Sequence, residues 1–347
     1  MKAVVLRGPR DLAVMDVPTP QAPAGTELIR VRACGICGSD LRYFVGENPW
    51  AKHTLGFEKP NPPNMILGHE IGGEHAGAPV SALAFKGCGK CLDCRRGRES
   101  LCAATAHLGH GAGWETETFN PGGMAEWCPV WSDFIYRLPA GMSCAEATFL
   151  DGLAVAVHAV RRASIFPGAR IAVWGAGPIG LMILQTAKAF GAGAAVVADV
   201  YDTALACATE FGGQQALSGE GGPDAVAEAV REATGGRGAD CIFETTGDPA
   251  VQQAALGCLA RGGTLMLMAG ANDLSLSEGA LAGERTVTTS SNHQYEDFQT
   301  ALDLLAEGAV RVGPMITHRF PIDEAVRAFE VARHKERYGA LKVIIEP

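Results

Sequence analysis

Four cysteines lie close together in the first third of the chain, with the spacing C-x2-C-x2-C-x7-C. They are Cys88, Cys91, Cys94 and Cys102. Four thiolates from one short loop can close a tetrahedral zinc site with no open position, and such a site is structural rather than catalytic. An iron–sulfur cluster uses similar cysteine runs, but the proline that usually follows the last cysteine is missing here. We therefore expect residues 88–102 to form a lobe around a structural zinc ion.

A second, looser set of potential ligands combines one cysteine, one histidine and an acid. Cys37 stands in the run CGICGSD at residues 34–40, and His69 stands in GHE at residues 68–70. A catalytic zinc ion takes about three protein ligands and keeps one open position, which a thiolate, an imidazole and a carboxylate would allow. Cys34 and Cys37 could instead form a redox pair, although the thioredoxin-like context for one is missing.

A glycine-rich turn, GAGPIG beginning at Gly175, has the spacing of a dinucleotide-binding loop. It follows the predicted strand Arg170–Trp174 and opens the predicted helix Pro178–Phe190, which is the context that such a loop requires. Gly175 would permit a tight turn, Gly177 would let the backbone approach a pyrophosphate, and Gly180 would let helix and strand pack closely. The free N–H groups at the start of the helix would bind the phosphates.

An acidic residue ends the next predicted strand. Asp199 lies nineteen residues after Gly180. An acid at this position accepts hydrogen bonds from the ribose hydroxyls and repels a 2′-phosphate, which favours NAD over NADP. The expected cofactor-binding residues are Gly175, Gly177, Pro178, Ile179, Gly180, Asp199 and Thr246.

Strand and helix patterns divide the chain into two kinds of region. The first 150 residues contain short alternating runs such as Glu27–Arg32, which are typical of β-strands. Between residues 153 and 290, strand and helix patterns alternate, which predicts a doubly wound parallel sheet. The predicted strands there are Arg170–Trp174, Ala195–Ala198, Asp240–Phe243 and Thr264–Met268. The predicted helices are Pro178–Phe190, Thr203–Phe211, Asp224–Ala233 and Ala250–Ala260, with Glu296–Glu307 and Asp323–His334 closer to the C-terminus.

The bulk composition is that of a globular protein and excludes two classes of partner. The chain has 347 residues, of which 47% are hydrophobic and 19% are charged, so it can form two domains of ordinary size. A net charge of -9 offers no electrostatic footprint for nucleic acid or an anionic membrane. The apolar run at the N-terminus is too short for a signal peptide, and no apolar stretch approaches the about 20 residues of a membrane span. We therefore expect a cytoplasmic protein whose cysteines do not form disulfides.

Taken together, these motifs resemble those of the zinc-containing medium-chain dehydrogenase/reductase family, especially its sorbitol, threonine and glucose dehydrogenase branch. The motifs are the run at 33–40, GHE at 68–70, the lobe at 88–102, the turn at 175–180 and THRFP at 317–321. The resemblance implies an α/β fold with a doubly wound parallel-sheet nucleotide domain and a β-rich GroES-like catalytic domain. We expect the Rossmann NAD-binding domain at 153–290 and the catalytic domain at 1–152 and 291–347. The resemblance also implies NAD, two zinc ions per chain, one catalytic and one structural, and a homodimer or homotetramer.

The resemblance also assigns the catalytic zinc ligands. Cys37 matches the first ligand and His69 the second. The third is a glutamate in the polyol branch, but the corresponding run here is LDGLAVAVH, so Asp151 stands where a glutamate is usual. Because aspartate is one methylene shorter, Glu70 is the natural substitute or exchange ligand. The expected metal ligands are Cys37, His69, Glu70 and Asp151 at one site and Cys88, Cys91, Cys94 and Cys102 at the other.

Several neighbouring residues are assigned in the same way. Many family members have a proton-relay histidine five residues after the first ligand; here that residue is Arg42, which could instead bind an anionic or carbonyl group of the substrate. We expect Ser39 to carry the proton. His293 falls where sorbitol dehydrogenases place a substrate-facing arginine, and we expect it to be catalytic together with Ser39 and Glu70. Tyr43 is also expected near the substrate.

The remaining histidines are not expected to be ligands. His158 fits the family run and should pack structurally. His53, His75, His107 and His110 are expected to be surface or loop residues.

These inferences predict an oxidoreductase that transfers hydride from a secondary alcohol, a polyol, sugar or cyclitol, to NAD. The zinc ion would lower the pKa of the substrate hydroxyl, the proton would leave through Ser39, and hydride would pass to the nicotinamide. Two alternatives stay open: a carbonyl reductase working in the reverse direction, and a non-catalytic protein that binds NAD and zinc. The acidic charge disfavours a third, a zinc protein that binds nucleic acid.

Overall fold

The computed structural model describes residues 1–114, 117–213, 215–270 and 274–347. Contacts among these residues divide the chain into two compact units. The first unit comprises Met1–Asp151, His293–Leu302 and Ile316–Pro347, and the second comprises Gly152–Asn292 and Asp303–Met315. Each unit therefore contains segments that are far apart in the sequence.

One segment near the C-terminus belongs to a different unit from the one expected. Asp303–Met315 groups with the second unit, whereas the sequence analysis placed all of 291–347 with the other domain. The contacts of Arg311 explain this difference. Its backbone N–H donates to Gln185 Oε1 at 2.8 Å, and Gln185 Nε2 donates to the Arg311 carbonyl at 3.0 Å. Because both bonds lie within the second unit, they hold this segment there.

The strands occur in both units, and they are numbered in chain order. They are β1 (Lys2–Gly8), β2 (Asp11–Asp16), β3 (Thr26–Gly35), β4 (Met65–Ile66), β5 (Glu70–His75), β6 (Ala78–Ala82), β7 (Phe85–Lys86), β8 (Ala106–His107), β9 (Trp127–Trp131), β10 (Ile135–Arg137), β11 (Ile171–Trp174), β12 (Ala195–Asp199), β13 (Gln215–Ser218), β14 (Ala239–Glu244), β15 (Leu259–Leu267), β16 (Thr286–Thr289), β17 (Ile316–Pro321) and β18 (Lys342–Glu346).

The α-helices are numbered in the same way. They are α1 (Gly38–Phe44), α2 (Leu92–Arg95), α3 (Cys144–Ala147), α4 (Leu150–Arg162), α5 (Pro178–Ala189), α6 (Asp202–Glu210), α7 (Pro223–Ala233), α8 (Pro249–Gly257), α9 (Glu278–Leu281), α10 (Tyr295–Ala306), α11 (Ala325–Arg333) and α12 (Lys335–Tyr338).

The first unit is built mainly from antiparallel strands. Its largest sheet has the order β10-β6-β5-β3-β18-β17, and β9 also pairs with β3. The end of β3 organises the neighbourhood of Cys37, because Gly35 pairs with Glu70 on one side and with Ile344 of the last strand on the other. Residues from the beginning and the end of the chain therefore meet beside Cys37.

The second unit contains one parallel sheet with the order β13-β12-β11-β14-β15-β16. Each neighbouring pair in this sheet is parallel. The central strand β11 is buried at every residue, as expected for a strand covered on both faces. The strand order reverses between β11 and β14, which is where doubly wound sheets bind ligands at the carboxyl ends of the strands. The predicted doubly wound parallel sheet is confirmed.

Local predictions for the second unit were largely correct, with three corrections. The helix predicted at Ala250–Ala260 ends at Gly257, and β15 then begins at Leu259, so the prediction ran into the next strand. Strands β13 and β16 were not predicted. A 3₁₀ turn at Gly219–Gly221, directly after β13, was not predicted either.

Among the described residues, no helix combines the length and the apolar character needed to cross a membrane.

Candidate metal and nucleotide sites

The four lobe cysteines converge on one point in the first unit. One sulfur from each of Cys88, Cys91, Cys94 and Cys102 lies within 4.8 Å of the others. Backbone N–H groups point at these sulfurs: Cys91 donates to Cys88 at 3.4 Å and Cys94 donates to Cys91 at 3.4 Å. Such N–H groups favour the thiolate form, and those of Lys90 and Cys91 lower the pKa of Cys88 to about 6. Four sulfurs in this arrangement fit a closed structural zinc site.

The second cluster of donors forms around Cys37. Cys37 precedes α1, and His69 and Glu70 lie where the chain enters β5, opposite the end of β3. One donor atom from each of Cys37, His69 and Glu70 lies within 4.8 Å of the other two. His69 and Glu70 are buried, and Cys37 is half-buried. A thiolate, an imidazole and a carboxylate at this spacing fit a zinc ion with an open position.

Asp151 lies beside this cluster at the start of α4. Its Oδ2 is 3.9 Å from His69 Nε2, and its Oδ1 is 3.4 Å from His293 Nε2. Burial acts to raise the pKa of this carboxyl, but the hydrogen bond from His293 and the charge of His69 outweigh burial and lower the pKa to about 2. Asp151 therefore presents an ionised carboxylate between two imidazoles.

Glu70 is engaged by a cation. Lys342, on the last strand, forms an ion pair with Glu70 Oε2, and both side chains are 4% exposed. Burial acts to lower the pKa of Lys342, but Glu70 and Cys37 outweigh it and raise the pKa. One oxygen of Glu70 is thus held by Lys342, whereas Asp151 faces imidazoles. This difference bears on which acid completes the metal site.

Asp40, which the sequence analysis did not single out, connects the segments that carry Cys37 and His69. Its Oδ2 accepts from the backbone N–H of Cys37 at 2.8 Å, and its Oδ1 accepts from the N–H of Gly68 at 3.2 Å. The same Oδ1 lies 3.9 Å from His69 Nδ1. Burial raises the pKa of Asp40 to about 6 against the charge of His69 and these N–H groups. Asp40 therefore holds the Cys37 and Gly68 backbones in place and puts a carboxyl group near the His69 ring without a hydrogen bond to it.

The prediction that His107 and His110 are surface or loop residues was wrong about their exposure and about His107, which lies in β8, whereas His110 does lie in the turn that follows. Both are buried, with 3% and 9% of their surface exposed. Their rings stack at a centroid distance of 3.8 Å, and the His110 ring lies 4.5 Å from that of His69. Burial lowers the pKa of His107 to about 3. The sequence gives one weak signal, a pair of histidines three residues apart, but no local pattern indicated their burial.

The other residues expected near Cys37 have different environments. The hydroxyl of Ser39 is buried and has no hydrogen-bond partner among the described residues. Arg42 is paired with Glu47 at 2.7 Å and contacts the exposed His53 at 3.0 Å, which leaves it less available to a substrate. Tyr43 is fully buried, and its ring lies 5.0 Å from that of His110.

The glycine-rich turn of the second unit has the backbone that the sequence predicted. Gly175 has a φ of +96°, a left-handed conformation that favours glycine, and a Cβ there would also collide with Thr245. A Cβ at Gly180 would collide with the Gly175 carbonyl, so helix and turn pack as closely as expected. A Cβ at Gly177 would meet nothing within 4 Å, so the turn is open at that position. Helix α5 begins at Pro178, followed by Ile179, and no side chain caps its first N–H groups.

Two acids at strand ends surround this turn. Asp199 accepts from the N–H of Ala176 at 2.6 Å and from that of Tyr201 at 2.9 Å, so it fixes the turn while keeping lone pairs free. Glu244, which the sequence analysis missed, is fully buried at the end of β14. It accepts from both the N–H and the hydroxyl of Thr246, at 2.6 and 2.5 Å. The Thr246 hydroxyl is therefore committed to Glu244.

Comparison with known proteins agrees with this combination of sites. The family model "Alcohol dehydrogenase GroES-like domain" matches residues 23–140, and the model "Zinc-binding dehydrogenase" matches residues 178–307. The chain belongs to this family of zinc-binding dehydrogenases. It is an oxidoreductase that uses zinc and a nicotinamide cofactor, and the predicted GroES-like and parallel-sheet fold is confirmed.

Individual relatives indicate the branch of the family to which the chain is most similar. The chain is 31% identical to a sorbitol dehydrogenase of Bacillus subtilis over 360 residues, covering 100% of this chain and 97% of the relative. It is 32% identical to a probable D-xylulose reductase A of Aspergillus clavatus, and the match covers 94% of this chain and 92% of the relative. The structure of a zinc-binding dehydrogenase from Sinorhizobium meliloti 1021, solved with NADP, matches this chain with a TM-score of 0.87 at 26% identity. The match covers 100% of this chain and 99% of that chain. The predicted sorbitol and threonine dehydrogenase-like branch is confirmed, and the reductase and non-catalytic alternatives are not favoured.

Proposed function

We propose that this protein is a zinc- and NAD-dependent dehydrogenase that takes hydride from a secondary alcohol of a polyol, sugar or cyclitol. The observation that carries this proposal is the cluster of donors from Cys37, His69 and Glu70 within 4.8 Å, with Asp151 3.9 Å from His69. The names of the sorbitol and D-xylulose relatives support an uncharged polyol as substrate.

We propose that Cys37, His69 and Asp151 are the protein ligands of the catalytic zinc ion. Glu70 lies close enough to ligate, but its ion pair with Lys342 makes it an exchange ligand rather than a permanent one. The four lobe cysteines, Cys88 to Cys102, hold the structural zinc ion. Bound at the Cys37 site, zinc supplies Lewis-acid chemistry that lowers the pKa of an alcohol hydroxyl.

The chain's own residues orient the reactants and move the proton. Asp40 fixes the Cys37 and His69 segments through the N–H groups of Cys37 and Gly68, so the donors are preorganised. The buried, unpartnered hydroxyl of Ser39 is suited to accept a hydrogen bond from the substrate hydroxyl and to relay the proton, giving its own proton to solvent water. His293 contributes by holding Asp151 Oδ1 at 3.4 Å.

The nucleotide site is proposed for residues 153–290 of the second unit, with catalysis assigned to the first unit, Met1–Asp151, His293–Leu302 and Ile316–Pro347. The open backbone at Gly177 and the uncapped N–H groups of α5 suit a pyrophosphate. The free lone pairs of Asp199 suit the two ribose hydroxyls and disfavour a 2′-phosphate, which is why we propose NAD rather than NADP. We further propose a homodimer or homotetramer located in the cytoplasm, by analogy with the family.

The experiment that tests this proposal combines metal analysis with turnover. We expect two zinc ions per chain and polyol-dependent formation of NADH that is stronger with NAD than with NADP. Dialysis against a chelator should remove turnover, and added zinc should restore it. The proposal would be overturned if turnover persisted after the catalytic zinc had been removed. It would also be overturned if none of the polyols, sugars and cyclitols supported NAD reduction by the zinc-loaded protein.

A further inference from the structure

The His110 ring is buried next to a proposed metal ligand, yet both of its nitrogens lack partners. Its exposed fraction is 9%, and neither Nδ1 nor Nε2 has a hydrogen-bond partner among the described residues. Buried polar groups in proteins are nearly always hydrogen-bonded, because leaving one unpaired costs free energy. A ring with two unpaired nitrogens therefore calls for a polar ligand.

The surrounding rings hold His110 in place. It stacks on His107 with an interplanar angle of 19°, and it meets the His69 ring at 64° with 4.5 Å between centroids. The Tyr43 ring makes a third contact, with 5.0 Å between its centroid and that of His110. His107 is itself anchored, since its Nδ1 is 2.8 Å from the Leu108 carbonyl. His110 thus stays beside His69, where the reacting alcohol must bind.

The chemistry of this ring selects one kind of ligand. A neutral imidazole offers one N–H donor and one nitrogen lone pair. An alcohol hydroxyl can accept a hydrogen bond from the N–H or donate one to the lone pair. The nearby charges do not suit an anion: Lys342 is paired with Glu70, and Asp151 adds a carboxylate between His69 and His293. An uncharged hydroxyl therefore fits better than a carboxylate.

We propose that His110 is a specificity-determining residue that binds the hydroxyl next to the reacting carbinol of a polyol. This inference rests on the proposed function, because it identifies which alcohols the same site prefers. His107 supports the ring of His110 as a positioning residue. The preferred substrate is thus a neutral vicinal diol rather than a simple alcohol or a hydroxy acid.

Three alcohols that share a three-carbon chain and a secondary carbinol test this preference. Propane-1,2-diol, propan-2-ol and lactate differ only in carrying a hydroxymethyl, a methyl or a carboxylate group beside the carbinol, and both enantiomers of the chiral compounds are used. We expect kcat/KM to fall in that order for the natural protein. His110→Phe, which keeps an aromatic ring, should lower kcat/KM for the diol about tenfold, the effect of one lost hydrogen bond, and barely change it for propan-2-ol. The loss should appear mainly in KM.

A competition assay replaces kcat/KM wherever a three-carbon alcohol turns over slowly. The inhibition constant against xylitol oxidation then measures binding of each compound directly. His110→Asn, which keeps one donor and one acceptor, should recover part of the discrimination that His110→Phe loses. His334→Gln, at an exposed histidine paired with Glu336, is the matched control and should leave all ratios unchanged.

The outcomes separate this inference from the proposed function. Zinc-dependent NADH formation with equal losses for diol and propan-2-ol in His110→Phe would overturn the inference and leave the proposed function standing. A natural protein that prefers lactate would do the same. Absence of zinc-dependent turnover with every alcohol would instead remove the proposed function on which the inference rests.

Discussion

The two candidate zinc sites differ in how the chain builds them. The lobe takes its four sulfurs from residues 88–102, and the N–H groups that support these sulfurs come from the same segment. The Cys37 site instead joins the start of α1, the start of β5 and the start of α4. The lobe is therefore a local structure, whereas the Cys37 site exists only when distant segments have folded together.

This difference suggests that the lobe serves the stability of the fold and that the Cys37 site serves the reaction. In the lobe, the sulfurs receive N–H groups from within the same short segment, and a metal there would crosslink one loop. At the Cys37 site, Asp40 joins two segments and Lys342, from the last strand, neutralises Glu70. We expect loss of the lobe metal to weaken folding and loss of the Cys37 metal to abolish turnover.

The largest expected effect is that of Cys37→Ser on turnover. Removing the thiolate should release the catalytic zinc, whose charge stabilisation is worth several kcal/mol, so kcat should fall about a thousandfold. Zinc content should drop from two ions to one, and the thermal midpoint should change little. Elemental analysis, NADH absorbance and a thermal melt measure these three quantities.

The matched control for Cys37→Ser is Cys144→Ser. Cys144 lies outside both clusters, and its thiol donates to the Gly73 carbonyl at 3.5 Å, a bond that a serine hydroxyl can also make. This control should keep both zinc ions and full turnover. If Cys37→Ser kept both zinc ions and normal kcat, Cys37 would not be a catalytic ligand.

The next effect in size is that of Cys94→Ser on stability. A structural zinc site contributes its binding free energy to folding, so losing one of four sulfurs should destabilise the protein by about 3 kcal/mol. The catalytic zinc should remain, and turnover of the folded protein at low temperature should fall far less than in Cys37→Ser. Denaturant unfolding and zinc analysis test this contrast. If the lobe zinc were lost and the free energy of unfolding stayed the same, the lobe would not have the stabilising role that we propose for it.

The sequence predicted most of what is encoded locally. The alternation of strand and helix patterns identified β11, β12, β14 and β15, because a buried parallel strand reads as a continuous apolar run. The glycine spacing likewise predicted the turn, since the left-handed φ of Gly175 and the close contact of Gly180 with the Gly175 carbonyl are both local features. Strand β16, TVTT, was missed because it lies at the edge of the sheet, where no apolar run marks it.

Residues that act through distant contacts were harder to predict. Nothing near Lys342 in the sequence indicates that it pairs with Glu70, which lies on another strand of the same sheet. His107 and His110 stand among glycines and small apolar residues in a run typical of a loop, and tertiary packing, which includes contacts with His69, buries them. Asp40 had a local signal, since an acid three residues after Cys37 has the spacing of a helix-capping contact.

The smallest of these effects concerns Asp151, and it decides which acid completes the Cys37 site. Asp151→Asn removes the charge next to His69 and should weaken zinc binding about tenfold to a hundredfold, as measured by competition with a chromogenic chelator. Asp151→Glu keeps the carboxylate and should recover most of the affinity. The double variant Glu70→Gln with Lys342→Met removes the other acid without leaving a buried lysine unpaired. If this double variant lowered zinc affinity more than Asp151→Asn, Glu70 would be the third ligand, and Lys342 would have to release it for zinc to bind.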